Sequence, residues 1–311
     1  WHSKQQFLIA IDPDTGGILR ESLLADDSNP PLSTPTIDGD SIFALSHEGD
    51  LVCYEIETGT EVWRRSFIKD FGGDYQCRGI GGGYSESVLI DGDRLICTPG
   101  AKVAMMAALD KATGETLWTA GFPDDIGPQG ADLAGFSSPV VSHACGVKQY
   151  VQLAGRGLIS VSADEGKTLW TYNGIADALY NIPMPLIRGD YVFASTSSAG
   201  NRQSGAALLK IVPDGGGLKA EVVYQLDKRI ACNHHGGMVL IGDHVYMGHG
   251  YDRGFPLCLD FLTGRVAWRP GRGPGVGSAA VLYAEGRLYF RYENGTMALI
   301  EANPHAYAVK S

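Results

Sequence analysis

The chain has 311 residues, 44% of them hydrophobic and 19% charged, enough apolar content to bury a large core and to exclude a disordered chain. Its formal net charge of -10 excludes a sequence-independent grip on phosphate backbones, which needs a basic surface, so no nucleic-acid partner is expected. No apolar run approaches the ~18–20 residues of a spanning helix, so no transmembrane segment is expected and the chain should be soluble.

The opening, WHSKQQFLIA, has the pattern of neither a signal peptide nor a transit peptide. One unit then recurs along the chain. LIAIDPDTGGIL begins at 8, LVCYEIETGTEVW at 51, MAALDKATGETLW at 106, ISVSADEGKTLW at 159 and PLCLDFLTGRVAW at 256, with weaker copies ALLKIVPDGGGL at 207 and MALIEANP at 297. In each an apolar strand ends at an acidic or similar residue, and a turn centred on Gly, usually Thr-Gly, reverses the chain. Glycine supplies the positive φ such a turn requires. The turn glycines Gly16, Gly59, Gly114, Gly166, Gly216 and Gly264 are 43, 55, 52, 50 and 48 residues apart, room for about four short strands per unit.

Trp63, Trp118, Trp170 and Trp268 all stand four residues beyond a turn glycine, and only Trp1 stands elsewhere. That regularity predicts a structural role, packing between neighbouring units, with ~150–250 Å² buried per indole. The first half of each unit is also shared: STPTIDGDSIFAL, SESVLIDGDRLICT, NIPMPLIRGDYVFAS and HGGMVLIGDHVYMG each read as strand, tight turn, strand. No segment sustains a 3.6-residue period with caps, so long helices are not expected. The fold expected is all-β, a β-propeller of four-stranded antiparallel blades in one domain, with units at about 7–24 (partial), 33–67, 84–122, 136–174, 182–226, 235–270 and 277–310.

The repeat, of form A-x-D-x-x-T-G-x-x-x-W, resembles that of pyrroloquinoline quinone (PQQ) dehydrogenases and of the outer-membrane assembly lipoprotein BamB. GGGYSESVLIDGDRLICTPG, NHHGGMVLIGDHVYMGHG and GSAAVLYAEGRLYFRYENGTMAL are similar to segments of PQQ-like propellers abundant in planctomycete-type bacteria. The resemblance covers nearly the whole chain. It implies an exported protein, periplasmic or extracellular, from a family whose rings often have eight blades; seven units are visible here.

In a propeller the first strand of each blade lies innermost, and the loops entering these strands converge on one face. Aligned repeats place Thr34, Tyr84, Ser85, Glu86, Phe136, Ser137, Tyr180, Asn181, Asn233, His234, His235 and Gly275 to Ser278 at those entrances. Arg78 and Tyr75 lie in the Gly-rich loop before the third blade, where the triple glycine at 81–83 reads as a turn. His249, Tyr251, Asp252 and Arg253 form a second loop, expected away from that face because it follows a second strand. In an extended strand adjacent side chains point to opposite sides, so His234 and His235 should not share a metal, and one at most faces the channel.

The candidate ligand-binding residues are thus Arg78, Tyr84, Glu86, Asn181, Asn233, His234, His235 and His249. Catalysis, if any, would fall to Glu86, His234 or His235, and a metal to His234 and Glu86. A solvated or arginine-paired state is expected for Glu86. The six cysteines include no C-x-x-C pair, which excludes zinc-ribbon, iron–sulfur and thioredoxin-type chemistry; Cys53 and Cys258 read as small buried hydrophobes. A disulfide between Cys77 and Cys232 would have to cross the ring, and two thiols are expected instead.

Two functions remain open. One is a non-catalytic module binding a protein, peptide or glycan with no cofactor, as the BamB resemblance implies. The other is a quinoprotein-type oxidoreductase holding PQQ and Ca²⁺, or a small-ligand or metal site in the axial mouth. The chain lacks the adjacent Cys-Cys pair that covers the quinone in alcohol dehydrogenases, and no indole outside the repeat position, apart from Trp1, is available to floor it.

Overall fold

The computed structural model describes residues 4–197 and 204–311, so Trp1 and part of the fifth repeat lie outside the described residues. Among the described residues seven antiparallel sheets follow one another along the chain. The first pairs Gln6–Ile11 with Ile18–Ala25. The second contains Thr36–Asp38, Ser41–Leu45, Asp50–Glu55 and Glu61–Ser66; the third, Leu89–Asp91, Arg94–Cys97, Met106–Asp110 and Thr116–Ala120. The fourth contains Val140–Ser142, Gln149–Ala154, Gly157–Ser162 and Thr168–Tyr172; the fifth, Leu186–Arg188, Tyr191–Ser195, Gly205–Asp214 and Gly217–Asp227. The sixth contains Met238–Ile241, His244–His249, Phe255–Asp260 and Val266–Trp268; the seventh, Ala279–Ala284, Arg287–Tyr292 and Met297–Glu301.

Every strand pairs with its neighbour in sequence, the up-and-down meander of a propeller blade. The seventh sheet gains a fourth edge from the tail: Lys310 donates its N–H to Leu299 O at 2.7 Å, and Leu299 donates to Ser311 O at 2.7 Å. The architecture is an all-β propeller. Among the described residues its only α-helix is Phe67–Phe71, opened by Ser66, whose hydroxyl accepts the Lys69 N–H, and closed by Gly72 at φ 68°. Among the described residues no helix is long and apolar enough to cross a membrane.

By internal contacts the chain forms two compact units. The first comprises Trp1–Phe122, Asp132–Pro139 and Asp164–Lys167; the second, Pro123–Ala131, Val140–Ala163 and Thr168–Ser311. In the first, Phe43, Leu51, Cys53, Trp63, Leu95, Cys97 and Leu109 share one core. In the second, Val151, Leu158, Trp170 and Val192 form one cluster, and Cys258, Trp268, Leu288 and Phe290 form another. Cys53 and Cys258 are buried in these clusters, as their apolar surroundings predict.

The repeat's turn chemistry is explicit. Asp110 Oδ1 accepts the N–H groups of Ala112 and Thr113, while its carbonyl accepts the Gly114 N–H at 2.8 Å. These hydrogen bonds hold the Asp110 carboxyl below the usual carboxylate range, and Asp12 and Asp260 are held down similarly by their own turns. The turn glycine then lies beneath a ring from the unit before it. A Cβ at Gly114 (φ 73°) would stand 2.8 Å from Trp63 Cδ2, and one at Gly166 would stand 2.5 Å from Trp118 Cδ2. Trp63 Nε1 donates to Lys111 O at 3.0 Å, which locks the ring over the turn.

The same device appears with other residues. Arg20, four beyond Gly16, lies over Gly59 and donates to the carbonyls of Ile56 and Glu57. Tyr224 lies over Gly264 and donates to Phe261 O at 2.8 Å. Registers show the equivalence: Tyr224 pairs with Leu208 beside a bulge, as Trp63 pairs with Cys53 and Trp268 with Cys258. Trp170 departs from the pattern, donating instead to Gln149 Oε1 within its own sheet at 2.7 Å.

Candidate functional site

In the first unit the loop 74–86 is built around Tyr75 and Tyr84, whose rings meet edge to face at 5.0 Å. Tyr84 is fully buried and donates to Pro99 O at 2.8 Å. Tyr75 donates to Glu48 Oε1 at 2.8 Å; burial, then that carboxylate, push its phenol up to about 12. Arg78 lies over the Tyr75 ring at 4.6 Å, between Asp74 at 2.7 Å and Glu48 at 3.2 Å, so its guanidinium is engaged by the chain's own acids. The triple glycine is a close-approach device: a Cβ at Gly83 would stand 2.5 Å from the His47 ring, and one at Gly82 would stand 2.2 Å from Gln76 O.

Glu86 is neither solvated nor paired with an arginine, contrary to the sequence expectation. It is 2% exposed, its Oε1 accepts the Thr98 N–H at 2.6 Å, and Oε2 is buried with no hydrogen-bond partner. Burial raises its carboxyl to about 7, with Thr98 opposing part of the rise. The neighbours that enclose it follow the strand Arg94–Cys97: Thr98 donates to Oε1, and the buried Cys97 thiol is itself pushed up by burial and by Glu86.

The second unit holds a different cluster. His234, His235 and Gly236 form a bend, and the strand begins only at Met238. Strand alternation therefore does not apply to the pair, and the expectation of opposed side chains is overturned: the two rings stack with centroids 3.6 Å apart and planes at 25°. A Cβ at Gly236 would stand 1.6 Å from Ala279 O, so the backbone there lies flat against the strand Ala279–Ala284, as only glycine allows. Tyr251 lies against His234 at 4.3 Å with the planes tilted by 31°, and Tyr180 meets it edge-on at 5.2 Å. The loop 249–253, expected away from the His pair, is thus part of its setting.

His234 is 7% exposed; its Nδ1 lies 3.4 Å from Ser278 Oγ, and its Nε2 is buried without a partner. Burial, then the neighbouring His235, lower its pKa to about 4, so it is neutral at pH 7. His235 is half-exposed and contacts Glu293 Oε1 through Nδ1 at 3.2 Å. That contact, first of its causes, holds the Glu293 carboxyl below its usual range. Gly277 (φ 86°) makes room for Glu293, since a Cβ there would meet Oε2 at 2.5 Å.

The remaining candidates close their own loops. Asn181 is fully buried, accepting the Asp177 N–H at 3.0 Å and donating to Asp177 O at 2.8 Å. Asn233 is fully buried and donates to Gly248 O at 3.1 Å. His249 accepts the Cys232 N–H at 3.2 Å, and burial, then Arg269, lower its pKa to about 4. Sequence reasoning missed Glu293 and placed Tyr251 apart. The signals available were the hairpin RYENG, which exposes residues beyond Tyr292, and Gly277.

These meander blades, with Gly114, Gly166 and Gly264 each beneath a ring of the preceding blade, define a PQQ-like β-propeller. The sequence model of the family described as outer membrane protein assembly factor BamB matches residues 4–270, and the chain belongs to that family. No curated protein matches by sequence. Among solved structures, BamB from Moraxella catarrhalis is similar over 100% of this chain and 88% of its own, at 12% identity and TM-score 0.65. A europium-containing methanol dehydrogenase is similar over 97% of this chain and 72% of its own, at 11% identity and TM-score 0.54. The quinohemoprotein alcohol dehydrogenase of Comamonas testosteroni is similar over 88% of this chain and 53% of its own, at 13% identity and TM-score 0.55. At these identities the likeness is one of fold.

The donors around Glu86 do not fit a Ca²⁺ ion of the quinoprotein kind. Calcium takes about 6–8 oxygen ligands, commonly from several carboxylates. Here one carboxyl is buried, its Oε1 is engaged by a backbone amide, and among the described residues no three His, Cys, Asp or Glu side chains converge.

Proposed function

We propose that this chain is a non-catalytic propeller that binds a protein or peptide partner in the periplasm or outside the cell, through the surface formed by His235, Tyr251 and Glu293, and that it works without a cofactor. The observation carrying this reading is the contrast in exposure. Glu86, Asn181, Asn233 and His249 are buried and hydrogen-bonded within the chain, whereas His235 and Glu293 present about half of their side chains to solvent. A rigid β scaffold with a stacked aromatic patch at a bend suits recognition, and the family's BamB description supports a protein as partner.

The competing reading is a quinoprotein-type oxidoreductase with Glu86 as base, favoured by a carboxyl raised to about 7. Two measurements decide between them. A photo-crosslinking residue placed at position 235 should capture a defined protein from an extract of the exported compartment, and one at the exposed Val103 should not. Titration with PQQ and Ca²⁺, followed by a dye-linked assay with alcohols and sugars, should show neither binding nor turnover. Quinone binding with turnover overturns the proposal, as does identical capture at both positions.

A further inference from the structure

Among the described residues this chain three times sets an arginine over an aromatic ring with a carboxylate beside it. Arg78 lies over Tyr75 with Asp74 at 2.7 Å, Arg188 lies over Phe261 with Asp243 at 2.7 Å, and Arg65 lies over Phe71 with Asp70 at 2.8 Å. The arrangement is favourable because a guanidinium is planar and weakly hydrated. It stacks on a ring face while its edge donates to an acid.

At the surface of the second unit the same parts are present without the arginine. His234 stacks on His235 at 3.6 Å with planes at 25°, and Tyr251 lies against it at 4.3 Å with planes tilted by 31°. The rings of His235 and Tyr251 do not touch each other, which places them on opposite faces of His234, and the column ends on the half-exposed His235. Glu293 stands beside that end with about half of its side chain in solvent, and Asp252 is exposed on the loop that carries Tyr251. Among the described residues neither acid pairs with a lysine or arginine. The buried, unpartnered Nε2 of His234 marks the column as polar in its interior, not as a closed apolar core. The chain's net charge of -10 favours a basic partner.

We propose that the exposed end of the His235–His234–Tyr251 column, together with Glu293, receives the guanidinium of an arginine in a basic peptide segment of the partner. This rests on the binding-module reading and names the chemistry of what is bound. The guanidinium lies on the outer face of His235 and donates to Glu293, with Asp252 adding to the attraction.

The test uses the whole chain and two probes, acetyl-Gly-Arg-Gly-amide and its lysine counterpart, titrated while the His235 and Tyr251 ring resonances are followed by NMR. The arginine peptide should give saturable shifts in those rings and bind about 5-fold more tightly than the lysine peptide, since an ammonium cannot stack as a plane. E293Q should weaken the arginine peptide about 10-fold, equivalent to ~1.4 kcal/mol. E48Q, which alters an acid already paired with Arg78, should leave it unchanged. Equal affinity for the two peptides, shifts confined to other residues, or an unaffected E293Q overturns the proposal. If E293Q melts early, competition on the wild-type chain by guanidinium and by ammonium ion takes its place: only guanidinium should displace the peptide, and equal displacement overturns it. A partner captured at position 235 through a segment lacking arginine refutes this inference while leaving the binding-module reading intact; failure of that reading shows instead as PQQ-dependent turnover.

Discussion

His234 and His235, adjacent in sequence, lie ring on ring with centroids 3.6 Å apart. Two stacked imidazoles cannot both be protonated cheaply, and burial already disfavours charge on the inner one. His235 thus depresses the His234 pKa while Glu293 and Asp252 raise it. In H235A, loss of one depressing cause should move the His234 midpoint upward from about 4. In E293Q, loss of a compensating charge should move it further down. Titration of the His234 ring protons by NMR checks both directions, and unchanged midpoints would mean that the stack does not persist in solution.

The same groups predict how stability responds to acid. His234 and His249 both titrate at about 4 in the folded chain against an ordinary 6.5. Between those values the unfolded chain binds more protons, so these groups make stability fall as pH drops from 6.5 to 4. Each can contribute on the order of 1–3 kcal/mol. H234F, which keeps a ring in the column but cannot be protonated, should flatten that decline in urea denaturation series at pH 7 and pH 4.5.

Glu86 works in the opposite sense. Its folded carboxyl titrates at about 7 against 4.5 for a free glutamate, so the folded state binds the extra proton between those values and stability falls as pH rises through them. Above pH 7 the full penalty of a buried unpaired charge applies. E86Q keeps an acceptor for the Thr98 N–H and carries no charge. It should therefore be more stable than the wild type at pH 8 by about 2–3 kcal/mol and nearly equal to it at pH 4.5. Melting curves at both pH values check this; a destabilised E86Q at pH 8 would show that the Oε2 side of the carboxylate has a partner worth keeping.

The blades were legible in the sequence because their cause is periodic and local. An acid, a turn glycine and a ring four residues later specify one hairpin each, and even Arg20 occupies that position after Gly16. The rule failed at Tyr224, where the hairpin strands Gly205–Asp214 and Gly217–Asp227 are longer and carry the ring eight residues beyond Gly216. There only the register beside the bulge reveals the equivalence. The site was less legible for two physical reasons. Strand alternation does not hold at His234 and His235, because Gly236, pressed against Ala279, keeps them in a bend. The burial of Glu86 depends on Cys97, Thr98 and the loop around Tyr84, tertiary neighbours that no spacing discloses.

Gly114 and Trp63 test the repeat device directly. Gly114 sits at φ 73° with the indole where a Cβ would be, so G114A meets both backbone strain and a clash. Each of those costs on the order of 1 kcal/mol or more, and G114A should lose ~2–3 kcal/mol. W63A should lose about 3–5 kcal/mol through the cavity it leaves. The two losses should not add: once the indole is gone the added methyl has space, and only the positive-φ strain of about 1 kcal/mol remains. A double-mutant cycle by chemical denaturation would therefore show coupling of at least ~1 kcal/mol between Gly114 and Trp63. Strict additivity would mean that the turn and the ring stabilise the sheets independently, and that the regular spacing reflects the hairpin alone.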